Sequence, residues 1–163
     1  MGEKEFLDLI NAHQATIHHL LRLYVLDPDD KDDLKQEIIL QAWKSKDNFR
    51  HQSTFNTWLY KVSLYTILTS KRKQPKINQV DLEEAAGMED SEKSEQEQVE
   101  LLYRGIAGLD DLSKTILTMH LDGFSNPEIA DFLGITVNHL NVRLHRTKEK
   151  ITNYLRNSFY GTR

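Results

Sequence analysis

The sequence predicts an all-α chain of two small helical domains joined by an acidic flexible linker, on three observations. Apolar residues recur at helical spacing along most of its 163 residues, and no segment alternates with the period of two that a half-buried strand shows. The block 77–97, with the run NQVDLEEAAGMEDSEKSEQEQ, is acidic and poor in large apolar residues, so it cannot bury enough surface to offset its ordering entropy. Near the C-terminus, FSNPEIADFLGITVNHLNVRLHRTKEKI reads as two helices around a glycine turn. The predicted division is a first domain over 1–76, the linker over 77–97 and a second domain over 98–163.

Taken in order, one helix is expected from Glu3 to Val25, with Phe6, Leu9, Ile10, Ile17, Leu20, Leu21 and Tyr24 at helical spacing and Asp27-Pro28 as its stop. Asp29 or Asp30 then caps a second helix reaching Lys46, its acidic first turn favoured by the helix dipole. Its apolar residues Leu34, Ile38, Ile39, Ala42 and Trp43 spread wider than one stripe. After the loop DNFRHQS a third helix runs from Thr54 to Lys73 and Pro75 closes the domain. Helical pattern resumes at Val99, breaks at Gly108, restarts after Asp110-Asp111 and ends at Asp122-Gly123. The last hairpin has Asn126 as expected N-cap with Pro127 at the first helical position, Ile129, Ala130 and Leu133 inward, and Gly134 at the turn. The helix starting at Thr136 keeps Val137, Leu140, Leu144 and Ile151 inward, leaving Asn138, His139, Asn141, Arg143, Arg146 and Lys148 outside to donate to phosphates and base edges.

A net charge of −4 conceals an uneven distribution. Residues 1–76 hold twelve Lys/Arg against ten Asp/Glu, residues 77–100 one against nine, and residues 101–163 eight against six, so two mildly basic modules flank an acidic segment. The chain has no cysteine, which excludes disulfides, thiolate metal sites and a cysteine nucleophile. No apolar run approaches the roughly 20 residues of a membrane span, and MGEKEFLDL is too charged for a signal peptide, so a cytoplasmic protein without membrane insertion is expected.

Two features exceed the needs of a helical scaffold. In DDLKQEIILQAW, Asp33, Gln36, Glu37 and Gln41 form a polar stripe beside Ile39 and Trp43, which lean outward. Such a stripe suits a protein partner with basic side chains; a solvated face accounts for the spacing equally well. In FRHQSTFNTWLYKVSLY, followed by SKRKQPK, aromatics interleave with amide, hydroxyl and basic groups. Phe49, Phe55, Trp58, Tyr60 and Tyr65 offer stacking surfaces for unstacked bases, and Lys61, Lys71, Arg72, Lys73 and Lys76 can follow a phosphate backbone. Core packing claims most of Trp58 and Leu59; Phe49, His51, Gln52 and Tyr65 point towards function.

These segments, in this order and spacing over nearly the whole chain, resemble the two conserved domains of extracytoplasmic function (ECF) sigma factors of the sigma-70 family, in a Bacteroidetes-like flavour. The resemblance implies a region 2-like bundle and a region 4-like helix-turn-helix domain. It implies a subunit that directs core RNA polymerase to promoters. Asp33, Gln36, Glu37, Ile39, Gln41 and Trp43 would dock the clamp helices of the largest polymerase subunit, and the second domain would meet the flap of the second-largest. Phe49, Arg50, His51, Gln52, Ser53, Thr54 and Phe55, with Trp58, Lys61, Tyr65, Lys71 and Arg72, would capture a flipped base and the melted strand of the minus-10 element. Thr136, Asn138, His139, Asn141, Val142, Arg143, Arg146 and Lys148 would bind the minus-35 element. The linker would thread towards the active centre, with Glu83, Glu84, Glu89 and Asp90 competing with nascent RNA. An anti-sigma factor is an optional further partner.

The chain departs from many family members at Tyr65, where Asn is common, and at Asn141 and Val142, where Arg or Lys is followed by Ser. Asn141 can instead read adenine bidentately and Val142 can meet a thymine methyl, which implies an unusual promoter. A free-standing helix-turn-helix regulator is the rival reading; it leaves DDLKQEIILQAW and the aromatic loop without a role. Neither catalysis nor a cofactor or metal is expected, because His13, His18, His19, His120, His139 and His145 have no metal-ligand spacing with acidic partners.

Overall fold

The computed structural model describes residues 1–73 and 94–160, and among these every regular element is helical. The chain divides into two compact units, Met1–Asn78 and Gln79–Arg163. The first contains α1 (Glu3–Ala12), α2 (Gln14–Tyr24), α3 (Pro28–Ser45), a 3-10 turn (Lys46–Asn48) and α4 (Phe55–Lys73). The second contains α5 (Glu95–Ala107), α6 (Asp111–Leu121), α7 (Asn126–Leu133) and α8 (Val137–Tyr160).

The single helix expected over 3–25 is divided at His13, where the backbone takes φ −115°, ψ 19° without a glycine or proline. Tertiary packing overrides helix continuity here. The His13 ring lies 5.6 Å from Phe55, and Phe6 at the other end of α1 meets Trp43 of α3 edge-on at 5.1 Å. The cap of α3 is Asp27, not Asp29 or Asp30: its carboxylate accepts from the N–H groups of Asp29 (2.8 Å) and Asp30 (3.3 Å), and Pro28 takes the first helical position. An Asp-Pro pair thus starts α3 three residues after α2 ends.

In the first unit, α3 and α2 pack on α4, and α2 also meets α3. Leu34, Ile38 and Ala42, four residues apart, bury one side of α3. Trp43 is half-buried because Phe6 covers its edge, which explains the wide apolar sector of this helix. Leu59, Leu64 and Ile67 of α4 are fully enclosed, each worth roughly 1.5–3 kcal/mol over an exposed side chain. Thr16 and Asn56 join α2 to α4 by a side-chain hydrogen bond.

In the second unit α6 is the central helix, buried from Ser113 through Met119 and touched by α5, α7 and α8. Asp110 caps it by accepting from the Ser113 N–H at 3.3 Å. Helix α5 starts at Glu95 with Ser94 as its cap, so the last three residues assigned to the linker are helical, while residues 77–93 and Pro75 lie outside the described residues. At α7 the cap is Ser125 rather than Asn126. Its hydroxyl accepts from the Glu128 N–H and the Glu128 carboxylate accepts from the Ser125 N–H at 2.7 Å, a reciprocal capping box that moves Pro127 to the second helical position. Gly134 ends α7 at φ 67°, a left-handed conformation that glycine adopts without steric cost.

Candidate nucleic-acid interface

On α3, Asp33, Gln36 and Glu37 are exposed, and the Gln41 amide donates to the Glu37 carboxylate at 2.7 Å. Ile39 and Trp43 are half-buried rather than outward, and the Lys46 ammonium sits 4.0 Å from the centre of the Trp43 ring. Sequence reasoning missed Leu40. It is 43% exposed at the middle of the outward face, and its signal was available: it follows Gln36 by four residues and Glu37 by three, opposite Leu34, Ile38 and Ala42.

The segment 49–54 leads from the 3-10 turn to α4. Half-buried Phe49 anchors it, with ring centres 4.5 Å from His51, 5.7 Å from Phe55 and 5.5 Å from Trp58. Arg50, His51, Gln52, Ser53 and Thr54 are exposed, and the Thr54 hydroxyl accepts from the Thr57 N–H at 3.2 Å, closing the start of α4. His51 takes φ 56°, the one positive φ outside glycine among the described residues. Such a conformation costs of order 1 kcal/mol and clusters at functional sites. Phe55 and Tyr60, expected as stacking surfaces, are buried, because the turns that expose the loop drive these rings into the core. Trp58, Lys61, Tyr65 and Arg72 follow one stripe of α4, with Tyr65 67% exposed, while the Lys71 ammonium reaches the Tyr24 ring at 5.5 Å.

The start of α8 presents Asn138, His139, Asn141 and Val142 to solvent, with Arg146 and Lys148 further along. The exposed Thr136 caps the helix through its hydroxyl, which accepts from the His139 N–H at 3.1 Å. Val137, expected inward, is exposed, since the inward positions of α8 are Leu140, Leu144, Thr147 and Ile151. Arg143, expected to be free for DNA, is held within the unit. Its Nε donates to the Ser113 hydroxyl at 3.0 Å and an Nη to the Asp110 carboxylate at 2.9 Å. Burial alone would raise the Asp110 carboxyl, but hydrogen bonds from Ser113 and Arg143 and the guanidinium charge outweigh it and hold it below its ordinary value. The Asn141 carbonyl oxygen accepts from the Asn126 amide of α7 at 2.9 Å.

A helical bundle with an exposed aromatic-anchored loop, and a helix-turn-helix unit with a polar outer face at the start of α8, together match the two conserved regions of sigma-70-type transcription factors. Residues 9–77 match the Sigma-70 region 2 family and residues 100–151 match Sigma-70, region 4. The ECF RNA polymerase sigma-E factor of Escherichia coli (strain K12) is 31% identical over 166 aligned positions, covering 93% of this chain and 86% of that protein. The chain belongs to the ECF RNA polymerase sigma factors, and it serves to direct core RNA polymerase to promoters in transcription initiation. In fold it is similar to CnrH in complex with the cytosolic domain of CnrY (TM-score 0.63, 21% identity, 94% of this chain and 89% of that one). It is similar also to the sigma factor RpoE in complex with the anti-sigma factor NepR from Bartonella quintana (TM-score 0.64, 17% identity, 94% and 96% covered). A free-standing regulator leaves residues 9–77 without account. No described helix is long and apolar enough to cross a membrane.

Proposed function

We propose that three surfaces of this sigma factor divide its work, with residues 1–76 docking polymerase and opening the minus-10 element, 77–97 linking, and 98–163 reading the minus-35 element. The observation that carries this is the pairing, on the first unit, of an exposed acidic and apolar face on α3 with the Phe49-anchored loop and its basic stripe on α4. Asp33, Gln36, Glu37 and Gln41, flanked by Ile39, Leu40 and Trp43, offer carboxylates around apolar surface, which fits the clamp helices of the largest polymerase subunit. Arg50 to Thr54 project beside Phe49 and Trp58, where an unstacked base finds aromatic surface, and Lys61, Tyr65 and Arg72 extend the path for a single strand. Lys71 is a weaker contributor, since Tyr24 already engages it.

In the second unit Thr136, Asn138, His139, Asn141 and Val142 face the major groove, and Arg146 and Lys148 meet phosphates; Arg143 acts by holding α8 rather than by touching DNA. The second unit also meets the flap of the second-largest polymerase subunit. The protein works in the cytoplasm, catalyses no reaction of its own, and is held by an anti-sigma protein, a reading supported by the NepR-bound neighbour. The Bacteroidetes-like flavour rests on the sequence of the two motifs. In vitro transcription with core polymerase over a genomic fragment library tests the whole assignment. It should yield a set of promoters sharing two spaced elements; transcription indifferent to upstream sequence would sink it.

A further inference from the structure

Asn141 stands on the exposed start of α8, and its amide is engaged by a side chain of α7. The Nδ2 of Asn126 donates to its Oδ1 at 2.9 Å across the turn between α7 and α8. This reach exists because Ser125 and Glu128 cap α7, which relieves Asn126 of that role and leaves its half-buried side chain to lean on the neighbouring helix. An amide carries its acceptor and its donors at opposite ends. With the oxygen drawn towards α7, the Asn141 amino group is the end turned away from α7.

We propose that Asn126 is a positioning residue that sets the polarity with which Asn141 meets a base pair, so that Asn141 reads as a hydrogen-bond donor. The base edge that fits is one of acceptors, as guanine offers with O6 and N7, and not adenine, whose N6 amine needs an oxygen that here is turned towards α7. This deepens the assignment of α8 as the minus-35 reading helix and rests on it. It also replaces the bidentate adenine contact expected from sequence.

The test is transcription by holoenzyme, assembled from core polymerase and the full chain, on a promoter library randomised over the minus-35 element. The wild type should prefer guanine at one position. Asn126→Ala, at a half-buried first helical position whose cap is intact, should lower that discrimination about five- to tenfold at the same position and leave the others unchanged. Asn126→Asp can only accept, so it should recruit the Asn141 amino group, turn the oxygen outward and shift preference towards a base with an exocyclic amine, cytosine or adenine. Adenine preference in the wild type overturns the proposal. So does an Asn126→Ala effect spread evenly over all sequences, which marks a phosphate contact, or unchanged preference in both Asn126 variants while Asn141→Ala relaxes one position. Unchanged preference in Asn141→Ala itself overturns instead the reading of α8 at that residue, and the proposal with it. Circular dichroism of each free variant separates loss of fold from loss of reading.

Discussion

Removing the Asp110 carboxylate should loosen the second unit in two separable ways. As N-cap of α6 it holds the Ser113 N–H, worth about 1 kcal/mol against alanine. As partner of Arg143 it joins an ion pair whose side chains are 47% and 36% exposed, so water screens it to about 0.5 kcal/mol. Asp110→Ala should therefore cost about 1.5 kcal/mol, whereas Asp110→Asn, which keeps a capping oxygen, should cost only about 0.5 kcal/mol. Native-state hydrogen exchange on the full chain reads this directly. Amides in buried α6 that exchange through opening of the unit should speed up roughly tenfold in Asp110→Ala and about twofold in Asp110→Asn. The sign with pH follows from the depressed carboxyl. The folded form binds its proton less readily than the unfolded chain, whose carboxyl sits near the ordinary 3.8, so the contribution is complete above that value and is lost as pH falls below it through the lower native one. Equal losses in the two variants, or additivity of Asp110→Asn with Arg143→Ala, would refute the division into a cap and an ion pair.

Four further outcomes are expected. Leu40→Ala combined with Glu37→Ala should weaken core polymerase binding, measured by fluorescence anisotropy, by at least tenfold with helicity intact; full affinity would remove the α3 face from the interface. His51→Gly should leave urea stability of the first unit unchanged or up to about 1 kcal/mol higher by relieving the positive φ, and a fall would mean that the ring contact with Phe49 outweighs strain. Gly105→Val should destabilise the second unit by about 2 kcal/mol in thermal melts, because a Cβ at Gly105 already lies 2.8 Å from the Tyr154 ring. Arg146→Ala should lower holoenzyme affinity evenly across promoter sequences and flatten the salt slope by about one, whereas a change confined to one base position would make Arg146 a base reader.

Helix periodicity carried most of the fold because both units bury apolar residues at regular spacing: Leu34, Ile38 and Ala42, or Leu140, Leu144 and Ile151, need no tertiary information to be found. The glycine turn at Gly134 was equally legible, since a left-handed position after an apolar stripe has few other solutions. What failed was local choice among adjacent capping residues. Asp27, Asp29 and Asp30 all have the chemistry of a cap, and Ser125 competes with Asn126; the winner is fixed by where the preceding chain turns. The division at His13 was invisible for a related reason, since it arises from Phe6 meeting Trp43 and His13 meeting Phe55, residues far apart in sequence. In the candidate interfaces the same limit applies to partners. Composition marks Arg143 as a cation on the candidate reading helix, and only the fold shows that Asp110 and Ser113 already occupy it.

Helix α8 runs 24 residues, about 36 Å at helical rise, without an internal glycine or proline. Its first turns carry the candidate reading residues, and its later turns, at Ile151 and Tyr154, grip α5 around Gly105. It is therefore a long unbroken rod with the candidate DNA-facing groups at one end and α5 packed near the other. A pull arriving through the N-terminus of α5 would reach α8 at this contact and, through it, the candidate groove-facing end. If the start of α8 reads the minus-35 element as proposed, register on the promoter would be mechanically continuous with the helix that Ser94 caps.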